Sequence, residues 1–134
     1  MDLTEIEQRA RDVMASVNGD LVAAYLFGSV ARDTASDSSD IDIGVLLRSI
    51  PAGRLGDSQF GLEGTLEKSL GRKVQVVVLN GAPPDLIHRV LRDGRLLLDR
   101  DPSSRIRFEV KSRNEYFDVL PFLNRYRRRE AVTP

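Results

Sequence analysis

The sequence predicts a mixed α/β (α+β) domain in which a small sheet of about four strands is flanked by helices. Apolar side chains recur at steps of three and four residues near the start of the chain, which is the spacing of one helix face. Short runs rich in Val, Ile and Leu then alternate with further helical patterns, as expected of strands separated by helices. No linker is long enough to divide the chain, so we expect residues 1–134 to form one domain.

The first half of the chain is predicted to contain a helix, a strand, a helical turn and a second strand. The helix covers residues 3–17 and carries the spacing of a capping box between Thr4 and Glu7. Residues 21–27 are apolar throughout, which predicts a buried strand. Residues 40–47 place Ile and Val on one face and Asp and Gly on the other, so this strand should have one buried face.

The second half is predicted to alternate helices and strands before its C-terminal helices, over about 101–129. In order, these elements are a helix over 54–70, a strand over 73–79, a short helix that Pro83-Pro84-Asp85 opens and that ends at Asp93, and a strand over 95–98. Asp101 should cap the next helix, and Pro121 is expected to break it. We expect the inward face of this helix to carry Ile106, Val110, Phe117 and Leu120. A terminal group is expected to pack on the sheet or, alternatively, to form a partner interface: Tyr116, Phe117, Phe122, Leu123 and Tyr126.

The composition excludes several kinds of active site. The chain has no Cys and a single His, His88, which rules out thiolate nucleophiles and zinc clusters built on Cys or His. A metal site must therefore use carboxylates, which favours a hard ion such as Mg²⁺ or Mn²⁺. His88 itself is expected to be a partly exposed helix residue.

The charge is balanced over the whole chain but not along it. Residues 1–100 carry a net charge of −3 and residues 101–134 a net charge of +3, so the formal total is zero. We expect the basic end at Arg125–Arg129 to be solvated or to contact a protein rather than nucleic acid. The acidic start is unlike a signal peptide, and no apolar run reaches the roughly 18 residues that span a bilayer, so a cytoplasmic protein is expected.

One constellation of residues carries chemistry. Gly28 and Ser29 directly follow the first strand, where the chain turns into a helix N-terminus. Free N–H groups at that point, the Ser29 hydroxyl and the Arg32 guanidinium are groups that bind phosphate. Asp40 and Asp42 lie two residues apart on a strand, so both carboxylates project from one face, where a divalent cation would relieve their repulsion. Together these residues predict a site for a nucleoside triphosphate and its metal ion.

The same residues carry a family resemblance. Gly28-Ser29, followed ten residues later by Asp40-x-Asp42, resembles the signature of the DNA polymerase β-like nucleotidyltransferase superfamily. Four neighbouring phrases are similar to the minimal nucleotidyltransferases of bacteria and archaea: Phe27–Arg32, Ser39–Ile43, Gly71–Val74 and Leu79-Asn80. The tail, Tyr116 to Pro121 and then Tyr126, resembles the antitoxin members of that group, and the resemblance covers roughly residues 5–128.

The resemblance implies a nucleotidyltransferase fold and an antitoxin of a type VII-like toxin–antitoxin pair. Its expected partner is a HEPN-domain ribonuclease toxin, with which it would assemble and to whose tyrosine it would transfer AMP from ATP. By the same resemblance, Asp40 and Asp42 are expected to be catalytic and to hold Mg²⁺ or Mn²⁺. Gly28 and Ser29 would contact the triphosphate.

Two positions depart from the family pattern. Gln75 occupies the place where the family usually has a third carboxylate, and a neutral amide neither acts as a general base nor binds Mg²⁺ well. Asp33 stands where the family often has Gly. We therefore expect Mg-ATP binding with weakened or absent transfer. The alternatives are a catalytically inactive antitoxin that neutralises its toxin by direct binding and a nucleotidyltransferase that acts on a small molecule.

Overall fold

The nine elements occur in the predicted order. The computed structural model describes residues 1–17, 19–34, 39–49 and 55–132, apart from the side chains of 55–60 and 129–132. The elements are α1 Leu3–Ala15, β1 Leu21–Phe27, α2 Gly28–Ala31, β2 Ile41–Leu47, α3 Leu55–Leu70, β3 Val74–Val78, α4 Pro84–Asp93, β4 Arg95–Asp99 and α5 Pro102–Val132. Among the residues so described, no helix is both long and apolar enough to cross a bilayer.

The four strands form one mixed sheet in the order β3-β2-β1-β4. β1 is central and runs antiparallel to both β2 and β4, whereas β2 and β3 are parallel. A parallel pair needs a crossover connection, and α3 supplies it. The predicted mixed α/β fold with a four-stranded sheet is therefore confirmed.

Helices cover both faces of the sheet. On one face α1 and α3 bury the alternate side chains of β2 and β3 in a cluster that includes Met14, Ile41, Ile43, Leu66 and Val76. On the other face α4 and α5 pack over a smaller cluster that includes Val22, Tyr25, Leu46, Val90 and Phe108. Because side chains alternate along a strand, Asp42 of β2 and Gln75 of β3 lie on the sheet face away from α1 and α3.

The first helix is capped two residues earlier than the sequence pattern indicates. The Asp2 carboxylate accepts a hydrogen bond from the Glu5 N–H at 2.8 Å, so Asp2 rather than Thr4 is the N-cap. Glu7, the expected capping-box partner, instead forms an ion pair with Arg95 of β4. Two overlapping cap patterns are present in the sequence, and contact with the sheet decides between them.

The C-terminal helix corrects two predictions. α5 continues through Pro121 instead of breaking there, since a proline removes one hydrogen bond and can bend a helix without ending it. The face expected to point inward is exposed: Ile106, Val110 and Phe117 are 51%, 50% and 64% exposed. Phe122 and Tyr126 are exposed as well, so packing on the sheet is wrong for these residues, while Leu120 is half-buried.

A different stripe of α5 holds the helix on the domain. Phe108 packs in the core cluster, Ser112 is buried and the Tyr116 ring stacks on His88 of α4 with 3.7 Å between ring centroids. Arg105 and Glu109 complete this face: Arg105 pairs with Asp99 at 3.0 Å and with Glu109 at 2.9 Å. The packed face is thus partly ionic, which apolar periodicity does not detect.

Candidate active site

Asp40 and Asp42 lie at the start of β2, and Asp42 is on the sheet face opposite α1 and α3. Asp40 immediately precedes the strand and is exposed, whereas Asp42 is its second residue and is half-buried. Burial raises the pKa of the Asp42 carboxyl, and the nearby charge of Asp40 raises this pKa further. Within the described ranges, no Lys or Arg pairs with either carboxylate. The two acids therefore share a site of uncompensated negative charge.

Gly28 lies directly against this site. Its strand neighbour Phe27 pairs with Asp42 across β1 and β2, so the turn into α2 passes over the Asp42 carboxylate. Gly28 has φ +77°, and a Cβ added there would overlap Asp42 Oδ2 and lie 3.3 Å from its Cγ. Both the left-handed backbone and the close approach require glycine at this position.

Ser29 is the second residue of α2 and is half-buried. Its carbonyl accepts hydrogen bonds from the Thr34 N–H at 3.0 Å and the Thr34 hydroxyl at 3.3 Å, which closes the turn after the helix. No side chain caps the N-terminus of α2. α2 is a single turn of four residues, so its dipole is small. Its individual N–H groups, rather than the dipole, would therefore account for most of any phosphate binding.

Arg32 lies near Asp93, an acid that the sequence pattern did not link to the site. It is the C-cap residue of α2, and its Nη1 lies 3.8 Å from Oδ2 of Asp93 at the end of α4. Asp93 also pairs with Arg92 at 2.8 Å, and these hydrogen bonds to Arg92, followed by the charge of Arg32, lower the pKa of the Asp93 carboxyl. Asp93 is thus a neighbour of the site. Because Asp93 lies 61 positions after Arg32 in the sequence, no local signal could have identified it.

Gln75 stands beside Asp42. The two residues are register partners on the parallel strands β2 and β3, so their side chains share a face about 4.8 Å apart across the ladder. Gln75 is exposed. Carboxylates of α3 accept hydrogen bonds from the neighbouring N–H groups of β3. The Val74 N–H donates to Glu67, and the Val76 N–H donates to Glu63. These two glutamates lie at the sheet edge and are occupied by the backbone, so they do not replace a carboxylate at position 75.

Asp33 adopts a left-handed backbone with φ +57°. Glycine reaches this region without a steric penalty, and aspartate is among the few other residues that tolerate it. Asp33 therefore adopts the backbone conformation that the family's glycine would adopt after α2.

The donor set suits a hard divalent cation. Two carboxylates project together without a cationic partner in the described part of the chain, and Mg²⁺ commonly takes one or two carboxylates and completes its shell with water and phosphate oxygens. No group of three or more His, Cys, Asp or Glu residues converges in that part of the chain. A metal ion held by these two carboxylates would complete its shell with water and phosphate oxygens.

The comparisons with known proteins agree with this geometry. A family model described as "Polymerase beta, Nucleotidyltransferase" matches residues 12–103. No curated protein matches the chain in sequence. A protein assigned as a minimal nucleotidyltransferase is 33% identical, with a TM-score of 0.59; the match covers 71% of this chain and 95% of that chain.

Two further solved structures share the fold at lower identity. One is a toxin–antitoxin with AMP-PNP, 23% identical with a TM-score of 0.71, covering 90% of this chain and 97% of that chain. The other is a tri-AMPylated Shewanella oneidensis HEPN toxin in complex with an MNT antitoxin, 21% identical with a TM-score of 0.67, covering 92% and 98%. The predicted resemblance is confirmed, and this chain belongs to the polymerase beta nucleotidyltransferase family.

Proposed function

We propose that this chain is an antitoxin nucleotidyltransferase that binds Mg-ATP and transfers AMP slowly to a tyrosine hydroxyl of a HEPN-domain toxin. The observation that carries the proposal is the position of Asp42, which lies against Gly28 and is the register partner of Gln75. This arrangement combines a nucleotide site with an incomplete set of acids. The family match supports the reaction class. The structural likeness to a toxin–antitoxin with AMP-PNP and to an MNT antitoxin with its AMPylated toxin supports the nucleotide and the partner.

Each residue of the site has a distinct role in this proposal. Asp40 and Asp42 hold the metal ion, whose charge offsets their repulsion and that of the triphosphate. The N–H groups of Gly28 and Ser29 bind phosphate oxygens where the close approach leaves no room for a side chain. Arg32 is exposed and only loosely paired with Asp93 at 3.8 Å, so its guanidinium is available to a phosphate oxygen.

The chemistry is an in-line displacement at the α-phosphorus of ATP. The acceptor oxygen forms a bond to this phosphorus, the bond to the β-phosphate oxygen breaks, and pyrophosphate leaves. The acceptor hydroxyl must also lose its proton. Gln75 stands where a carboxylate would assist that step, and an amide cannot take up a proton near neutral pH. Slow transfer follows from this one neutral side chain.

Gln75 also favours a second candidate function. An antitoxin that lacks transferase activity and neutralises its toxin by contact would not need a third carboxylate. The large apolar side chains exposed on α5 provide contact area for such a complex. The two candidates differ in stoichiometry, since a transferase needs ATP and acts below one equivalent of toxin, whereas a contact antitoxin needs neither ATP nor turnover.

Calorimetry tests the nucleotide site. Mg-ATP should bind the unaltered chain and the exposed-site control Asp20→Asn equally, and binding should be lost in Asp40→Asn/Asp42→Asn. If the unaltered chain shows no binding, or if the double variant binds as well, the site assignment is wrong. We expect the toxin to be encoded by the reading frame next to that of this chain. Mass spectrometry of the co-expressed product of this neighbouring reading frame then tests transfer: AMP on a tyrosine is expected, at low yield. Neutralisation with no AMP on the toxin would favour the contact mechanism.

A further inference from the structure

α5 presents an apolar stripe to solvent. Ile106, Val110, Phe117 and Pro121 are separated by four, seven and four residues, which places them on one face of the helix. The opposite face carries Phe108, Ser112 and Tyr116, which hold α5 on the domain. The stripe is therefore the outer face of a helix that is already anchored, and nothing in the described residues covers it.

The stripe exposes a sizeable apolar surface. With Ile106 and Val110 about half exposed and Phe117 64% exposed, the stripe offers on the order of 350 Å² of apolar surface. The largest apolar patch on a typical soluble monomer covers about 300–600 Å² and is often functional. The stripe falls within this range.

Basic side chains border the stripe. Arg107, Lys111 and Arg113 flank its first half, and Arg125 and Arg128 flank its end. Two acids, Glu115 and Asp118, also lie near it, and Glu115 pairs with Lys111 of the border at 4.0 Å. The border is thus predominantly positive and fits a surface with acidic side chains around an apolar ridge.

The same charges argue against a second copy as the occupant. Two copies of α5 related by a two-fold axis across the helix would pair antiparallel, with Ile106 against Pro121 and Val110 against Phe117. Arg113 of one copy would then oppose Arg113 of the other beside the axis. Like charges in contact lower affinity, so the pattern favours a different protein.

We infer that the toxin partner docks on the outer stripe of α5 (Ile106, Val110, Phe117 and Pro121). The partner's contribution is an apolar ridge bordered by acidic side chains. This inference rests on the proposed function, because the toxin partner is the one named there. The apolar side chains supply the buried centre of the interface, and the basic border sets the orientation and accelerates encounter. The stripe is separate from the acids of β2, so docking and nucleotide binding can be measured independently.

The experiment uses the purified full chain and the product of the neighbouring reading frame. Calorimetry at two salt concentrations compares the unaltered chain with Val110→Glu/Phe117→Glu and with Arg107→Glu/Lys111→Glu. The control is Leu96→Glu, an exposed apolar residue on β4. We expect the first variant to weaken binding at least 100-fold. The second should weaken it about tenfold and reduce its salt dependence, and the control should stay within about twofold.

The possible outcomes separate the two proposals. If the unaltered chain does not bind this protein, the proposed function fails and the docking inference fails with it. If binding occurs but Val110→Glu/Phe117→Glu leaves the affinity unchanged, the docking inference alone is wrong. Sedimentation of the chain by itself is the third arm: a stable dimer that this variant dissociates would make the occupant a second copy and overturn the inference. Circular dichroism and retained Mg-ATP binding verify that each variant is folded.

Discussion

Replacing Gln75 with Asp tests whether a single side chain limits the chemistry. Gln75 and Asp42 are register partners on parallel strands, so the new carboxylate would lie about 5 Å from that of Asp42. At that distance two unit charges repel by about 3 kcal/mol at an effective dielectric of 20 and by about 1 kcal/mol in water. Because Gln75 is exposed, the lower figure applies. The metal-free Gln75→Asp variant should therefore lose about 1 kcal/mol of stability, or about 4 °C in melting temperature.

Divalent metal should reverse that loss. A third carboxylate adds a ligand at a position where the amide binds Mg²⁺ poorly, so Mg²⁺ should raise the melting temperature of Gln75→Asp more than that of the unaltered chain. If slow transfer is caused only by the missing acid, the rate of AMP transfer to the toxin should rise about tenfold or more. The matched control is Gln75→Asn, which keeps the position neutral and should change neither quantity.

Thermal melts in chelator and in Mg²⁺, with mass spectrometry of the toxin, measure both effects. Equal Mg²⁺-dependent stabilisation of Gln75→Asp and Gln75→Asn would refute the placement of position 75 beside the metal ion. A larger Mg²⁺ effect without faster transfer would show instead that another group limits the reaction. In that case the contact mechanism would become the better account of neutralisation.

Three further predictions follow from the geometry. Gly28→Ala should cost about 1–3 kcal/mol and abolish Mg-ATP binding, because the added Cβ meets Asp42 at a positive φ; denaturant unfolding and calorimetry measure this. Asp42→Asn should stabilise the metal-free protein at neutral pH but not in acid. The pKa of Asp42 is raised on folding, so the unaltered chain loses stability as the pH rises from the carboxyl's unfolded value through its folded value; melts across this range would show the two proteins converge at low pH. Arg105→Ala should cost about 2–4 kcal/mol in denaturant unfolding, because it leaves Asp99 and Glu109 without their shared partner; a loss below about 0.5 kcal/mol would contradict this account.

Local patterns predicted the elements of the fold closely. β1 spans Leu21–Phe27 as expected. β2 begins one residue later than predicted, and β3 is one residue shorter than predicted at both ends. Runs of apolar residues bounded by Gly, Pro and Asp are local signals, and burial in the sheet reinforces them. The motif also predicted that Asp40 and Asp42 share a face, because strand alternation depends only on sequence separation.

Contacts between residues far apart in the sequence were not predicted. The apolar period of α5 was detected, yet the helix packs through Arg105, Glu109 and Tyr116 and exposes Ile106, Val110 and Phe117. Periodicity identifies a stripe but does not say whether that stripe meets this chain or another protein. The continuation of α5 past Pro121 was missed for a related reason, since an exposed helix can bend where a packed one would be constrained.

The sequence by itself determined the order of the elements, the carboxylate pair and the neutral residue at position 75, because each depends on residue type and local spacing. The tertiary structure decided which groups meet. It placed Gln75 beside Asp42, brought Gly28 onto the same carboxylate and paired Arg32 with Asp93. The physical reason is that strand pairing and helix docking are settled by burial summed over the whole domain, which no local window of the sequence contains.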